Sequence, residues 1–178
     1  ALAVIACGCT CKADILRRTT NQLIPGTDEI SPGSGANLQG LRLDFAMLSS
    51  RNLSNANLAN TDLTKATLWR SNLSGTNLAG ATVTGTDFRA TRGLSTPHLY
   101  STTNDRDRDL KGIGLGNNDL SGWDLSHQDL SGGRLSSATL TNTRLSGADL
   151  TDTSLEFSNL AGANLSGANV THADFRGT

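Results

Sequence analysis

Apolar residues recur at every fifth position from Leu38 to Phe88: Leu38, Leu43, Leu48, Leu53, Leu58, Leu63, Leu68, Leu73, Leu78, Val83 and Phe88. The spacing resumes in a new phase at Leu110 and runs through Leu115, Leu120 and Leu125 to Leu165, Val170 and Phe175. The two runs make 11 quintets over 36–90 and 14 over 108–177, with Leu central in 21 of them. A period of five suits neither the 3.6-residue repeat of a helix nor the two-residue repeat of a flat strand, so the chain must turn once per quintet. The residue two before the central Leu is Ala, Ser or Thr in nine of the first eleven quintets, as at Ala36, Ala46, Ala56 and Ala66. One large and one small inward residue per quintet fill a narrow tube. The other three positions, mostly Ser, Thr, Asn, Asp and Gly, face water.

Ala56-Asn57-Leu58-Ala59-Asn60, Ala148-Asp149-Leu150-Thr151-Asp152 and Ala163-Asn164-Leu165-Ser166-Gly167 match an A(D/N)LXX consensus. Through these quintets the chain resembles the pentapeptide-repeat family. The resemblance implies an all-β fold: a solenoid wound as a right-handed, four-sided parallel β-helix, with one quintet per side and four sides per coil. Central residues twenty apart, such as Leu38, Leu58 and Leu78, then form ladders inside the tube, with coils about 4.7–4.9 Å apart. Each repeat touches only its neighbours, so stability is roughly a sum over interfaces.

Residues 1–35 do not follow the period and are expected to cap the first coil, whose open backbone would otherwise recruit another chain. Ala13–Arg17 and Gln22–Ile24 read as a short hairpin, with turns at Pro25-Gly26 and Pro32-Gly33. Residues 1–11 read as a processing remnant. The apolar run Ala1–Cys7 resembles the tail of an export signal, and Val4–Cys7 resembles a lipobox. The expectation is a periplasmic or extracellular location, with a cytoplasmic one as the alternative. Cys7, Cys9 and Cys11 alternate, which is awkward for adjacent disulfides and leaves zinc without its usual fourth ligand. They read as processing-segment or buried cysteines.

Residues 91–107 form an excursion between the first repeat block (36–90) and the second (108–178), because Phe88 and Leu110 lie 22 steps apart rather than 20. Leu94–Tyr100 reads as a helical turn with Ser95 as N-cap and Pro97 in the first turn. Asp105–Asp109, alternating in sign, reads as a solvated return. Arg108, Ile113, Asn118, Trp123 and Gln128 then occupy positions that elsewhere hold small residues. Either the coil widens, helped by Gly112, Gly114, Gly116 and Gly122, or these side chains turn outward. The outward reading is favoured for Trp123, packed against Leu99 or Tyr100.

Composition restricts the chemistry. Aromatics make up only 4% of the chain, against 19 glycines, so stability must come from many small repeated contacts. A formal charge of −1 supplies no global field toward nucleic acid or anionic membrane, and direct nucleic-acid binding is not expected. No apolar run approaches the roughly 20 residues of a transmembrane helix. The first block carries five basic and three acidic residues, residues 108–178 five basic and eight acidic. Asp109, Asp129 and Asp149 are predicted to stack, continued by Asn169, opposite in character to Asn37, Asn57 and Asn77. Mutual repulsion would raise at least one carboxyl pKa or attract a cation, which makes the three weak metal candidates. The other reading is that Asp and Asn hydrogen-bond the backbone at each corner.

His98, His127 and His172 are far apart and none is predicted beside a nucleophile; His172 is expected one coil above Asp152. No catalytic residue, cofactor or resident metal is assigned, and the chain reads as a non-enzyme: a structural scaffold or protein-protein interaction module. The candidate interaction surface is Leu99, Tyr100, Arg106, Trp123, Asp129 and Asp149, because loops on rigid scaffolds tend to carry recognition. The partner is a protein that the sequence does not name, and the terminal coil with Val170 and Phe175 predicts an end-to-end homodimer. The family resemblance implies an alternative, a DNA-mimicking protein that binds the topoisomerase gyrase, as some bacterial members do. Arg134 and Arg144 interrupt the acidic surface that such mimicry needs.

Overall fold

The computed structural model describes residues 32–178. The expectations placed on residues 1–31, namely the hairpin, the export signal and the three cysteines, lie outside that range. From Gly33 onward the chain turns once per quintet. In most quintets the amide of the residue three after the centre donates to the central carbonyl, as Ala46 N does to Leu43 O at 3.0 Å. The residue before that amide has positive φ, 59° at Phe45 and 58° at Asn55, as in a type II turn. Coil geometry already holds at Gly33, whose carbonyl accepts Ala36 N. The apolar period hides this quintet because glycine stands at its centre.

Consecutive coils pair through parallel bridges between residues twenty apart, as in Asn37 to Asn57 to Asn77 and Asp109 to Asp129 to Asp149 to Asn169. Twenty residues hold four quintets, and each side contributes a single bridge residue rather than a strand. Leu38, Leu43, Leu48 and their successors through Leu155 are fully buried along the axis. The small inward positions carry a second regularity. Thr61, Ser71, Thr76, Thr86, Thr143 and Thr153 each donate a hydroxyl to the central carbonyl 23 residues back, at 2.6–2.9 Å. This bond lets a polar side chain sit in the tube without an unpaired group.

The interruption adds residues to a coil rather than ending the stack. Asp87 bridges Gly114, 27 positions on instead of twenty, and the column Met47, Thr67, Asp87, Gly114, Arg134, Ser154, Asp174 runs unbroken through this waist. The seven extra residues are taken up in two short helices, α1 (Thr96–Tyr100) and α2 (Thr103–Asp107). Ser95 caps α1 and Pro97 lies in its first turn, as the sequence predicts. The charged return is not extended: Asp105–Asp107 is the second half of α2, capped by the Thr102 hydroxyl and ended by left-handed Arg108.

One side chain splices the helices into the coil ladder. In regular coils an amide such as Leu58 N donates directly to Asn77 O. At the waist Val83 N donates instead to Asn104 Oδ1 at 2.6 Å, and Asn104 Nδ2 donates to Asp109 O at 2.8 Å and to Thr84 Oγ1 at 2.7 Å. The Asn104 amide thus stands in for a peptide unit between coils. At the neighbouring bridge Gly114 leaves room for Asp87, since a Cβ there would lie 2.7 Å from Asp87 Oδ1 and 3.2 Å from Asp87 Cα.

Candidate interaction surface

Four of the five bulky residues beyond the waist are covered, Trp123 and Gln128 by the helical insertion and Asn118 by the coil of Phe88. Ile113, Asn118, Trp123 and Gln128 are all buried, and only Arg108 is exposed. Asn118 Nδ2 donates to Phe88 O at 2.8 Å and to Leu115 O at 3.0 Å, doing the work of the inward hydroxyls across the longer coil. Gln128 Nε2 donates to the Asp105 carbonyl and carboxylate at 3.1 and 3.0 Å. Trp123 meets Tyr100 edge to face, centroids 6.4 Å apart, yet is itself only 6% exposed. The expected packing of Trp123 against Tyr100 is thus present, with the indole covered rather than left on the outer surface.

Of the six residues expected to form one surface, Leu99 belongs to the core at 2% exposure and Trp123 lies beneath Tyr100. Tyr100 alone of the apolar group reaches solvent, at 39% exposed. Its hydroxyl donates to Asp124 O at 3.0 Å and accepts from Asp124 N at 2.6 Å, tying α1 to the next coil. Burial, then the charges of Asp124 and Asp105, push the Tyr100 phenol up, against the opposing backbone hydrogen bond at Asp124. Burial and then the Asp124 charge likewise push the Asp105 carboxyl up. Arg144 pairs with Asp124 at 3.4 Å. Asp105 and Asp124, which sequence reasoning left out, thus gather beside Tyr100. No local motif marks them, because only the length of the insertion brings Asp105 opposite Gln128.

Arg106 is exposed and paired with its neighbour Asp107. Asp129 and Asp149 stand on the adjoining side, in the predicted column with Asp109 and Asn169. One carboxylate oxygen of each aspartate is already used, and both of Asp129. Lys111, Ser131 and Thr151 each donate a backbone N–H to the aspartate two residues earlier, and Lys111 Nζ lies 3.1 Å from Asp129. Burial pushes the Asp129 carboxyl up, but bonds from Ser131 and Lys111 outweigh it and hold it below the usual carboxylate range. The expected raised pKa is corrected there, because corner hydrogen bonds and a lysine disperse the repulsion. Among the described residues no group of His, Cys, Asp or Glu is gathered to hold a metal. His172 lies 3.3 Å from Asp152 on an exposed side. No helix among these residues is long and apolar enough to cross a membrane.

Similar solved structures include HetL, a pentapeptide repeat protein involved in heterocyst differentiation regulation from the cyanobacterium Nostoc sp. strain PCC 7120. It is 26% identical over 79% of this chain and 60% of its own, with a TM-score of 0.38. Rfr23 from the cyanobacterium Cyanothece 51142 is 23% identical over 70% of this chain and 63% of its own, TM-score 0.28. QnrB1, a plasmid-mediated fluoroquinolone resistance protein, is 18% identical over 81% and 74%, TM-score 0.46. The chain thus spans less than two thirds of the length of HetL and Rfr23. Curated proteins gave no match. The pentapeptide-repeat model matches residues 52–89, 119–156 and 144–178, with 8 copies and more than half of the sequence. By this match and by its five-residue coil geometry, the chain belongs to the pentapeptide-repeat family.

Proposed function

We propose that this protein is a non-catalytic interaction module, a right-handed, four-sided rod that presents Tyr100 and its acidic surround to a protein partner. The observation that carries the reading is the fixing of α1 by both Asp124 hydrogen bonds, which holds an exposed aromatic in place without a mobile loop. A preorganised aromatic costs little entropy on binding. Asp105, Asp124 and Arg144 supply a polar rim around it. Site-specific photocrosslinking tests this. A crosslinker at position 100 or 106 is expected to capture a discrete partner from the source cell, whereas one at Asn37, several coils away, is not. Equal capture at all three positions, or none, overturns it.

A DNA-mimicking, gyrase-binding role is the second reading, supported by the acidic excess of residues 108–178. Arg134, Arg144 and Arg176 break that surface, so a supercoiling assay is expected to show no inhibition at micromolar protein. End-to-end pairing through the terminal coil and export are retained as proposals. A monomeric mass in solution opposes the first, and retention of the full-length protein in the cytoplasm opposes the second.

A further inference from the structure

The first repeat block and the start of the excursion carry a groove that shares no lining residue with the Tyr100 surface. Arg51, Arg70 and Arg92 line it across three successive coils, over a floor that includes Ser50, Asn52 and Asn72, and its volume is about 520 Å³. Asn52, Asn72 and Arg92 form one bridged column. Arg70 and Arg92 are exposed and Arg51 partly so. Elsewhere Arg89, Arg106, Lys111, Arg144 and Arg176 have carboxylate partners, whereas Arg42, Lys65, Arg108 and Arg134 make no ion pair among the described residues but do not line this groove. The three groove guanidiniums likewise make no ion pair among the described residues. The floor offers them nothing in exchange: Asn52 Oδ1 accepts from Asn72 Nδ2 and Ser54 N, and Asn72 Oδ1 accepts from Ser74 N and Oγ. Arg70 is already oriented, its guanidinium 4.3 Å from the centroid of Trp69, a ring 39% exposed beside the groove.

We infer that this groove docks an extended acidic segment of a partner protein, with Asp or Glu carboxylates on Arg51, Arg70 and Arg92. The planar fork of arginine matches a carboxylate in two parallel hydrogen bonds. Alternate side chains of an extended peptide point the same way about 6.6–6.8 Å apart, and coils rise about 4.7–4.9 Å, a mismatch within the reach of arginine stems. Arginine and tryptophan are also the residue types that dominate protein interfaces. The inference shares with the preceding proposal only the reading of the chain as an interaction module. Its test involves neither Tyr100 nor α1, so its failure leaves that surface standing.

The probe is a fluorescein-labelled dodecapeptide alternating Glu and Ser, read by anisotropy against the full chain, with a Lys and Ser peptide and a twelve-base oligothymidylate as controls. The Glu peptide is expected to bind, to weaken steeply with salt, and to lose at least fivefold in affinity in Arg70→Glu and again in Arg92→Glu. Both positions are exposed, so thermal melting should be unchanged. Arg92→Lys should retain most of the binding through charge while losing the bidentate fit. The inference is overturned by absence of binding at millimolar peptide, by affinity unchanged in both reversals, or by tighter binding of the oligothymidylate, which would assign the groove to nucleic acid.

Discussion

A hydroxyl inside the tube is stabilising only when the carbonyl of the coil below receives it. Thr143 Oγ1 reaches Leu120 O at 2.8 Å with no exposure, whereas Ser158 Oγ is buried without a partner. Thr143→Val keeps the shape and loses the bond, so it should lower stability by about 0.5–1.5 kcal/mol. Ser158→Ala should be neutral or slightly stabilising, because nothing is lost and a desolvated hydroxyl is removed. Paired denaturation curves check the difference. Acid sensitivity belongs to the same scale. Burial pushes the Asp87 carboxyl up, but hydrogen bonds from the Arg89 side chain and backbone, with the charges of Arg89 and Arg134, hold it below the usual range. A depressed folded pKa gives stability that is present above the unfolded value, about 4, and lost as pH falls through the folded one. Asp87→Asn should therefore destabilise at pH 7 and flatten the fall in melting temperature below about pH 4.

The helical insertion is the element whose details were least legible from sequence. Its N-cap at Ser95 could be read, because capping is local chemistry. So could the reach of α1 to Tyr100, where it ends. The whole of α2 and the burial of Trp123 could not, since both depend on seven residues being absorbed above Leu78 and Val83 rather than projecting. Asn104 shows why: within Thr103-Asn104-Asp105 it looks like any surface asparagine, yet it is 5% exposed and satisfies Val83 N and Asp109 O. The repeat columns, by contrast, follow from a period of five and a bridge every twenty, and Asp109, Asp129 and Asp149 stand where the spacing puts them. Their chemistry was harder to read, since Lys111 comes from a neighbouring coil. If Asn104 is a surrogate peptide unit, Asn104→Ala leaves two backbone groups unpaired and should cost about 2–5 kcal/mol. An exposed residue outside the left-handed corners, such as Ser121, replaced by alanine should change stability by under about 1 kcal/mol. Chemical denaturation of the two variants separates these outcomes.

Across the whole molecule, the change of phase between blocks suggests two rods, but the bridge from Asp87 to Gly114 makes the stack one. Phe88 N donates to Gly114 O and Ala90 N to Gly116 O, both at distances ordinary for the regular coils. Coil solenoids gain stability from nearest-neighbour interfaces, so a weak interface would show as a place where the array opens. The presentation of Tyr100 depends on this continuity, because α1 is fixed between a coil of the first block and one of the second. Native-state hydrogen exchange on the intact chain tests it most directly. The amides of Phe88, Ala90 and Gly114 should exchange as slowly as those of Leu63 and Leu130, which make the same bonds within the two blocks. Fast exchange confined to residues 86–92 and 110–116, between slowly exchanging blocks, would show a hinge at the waist and contradict a single continuous rod.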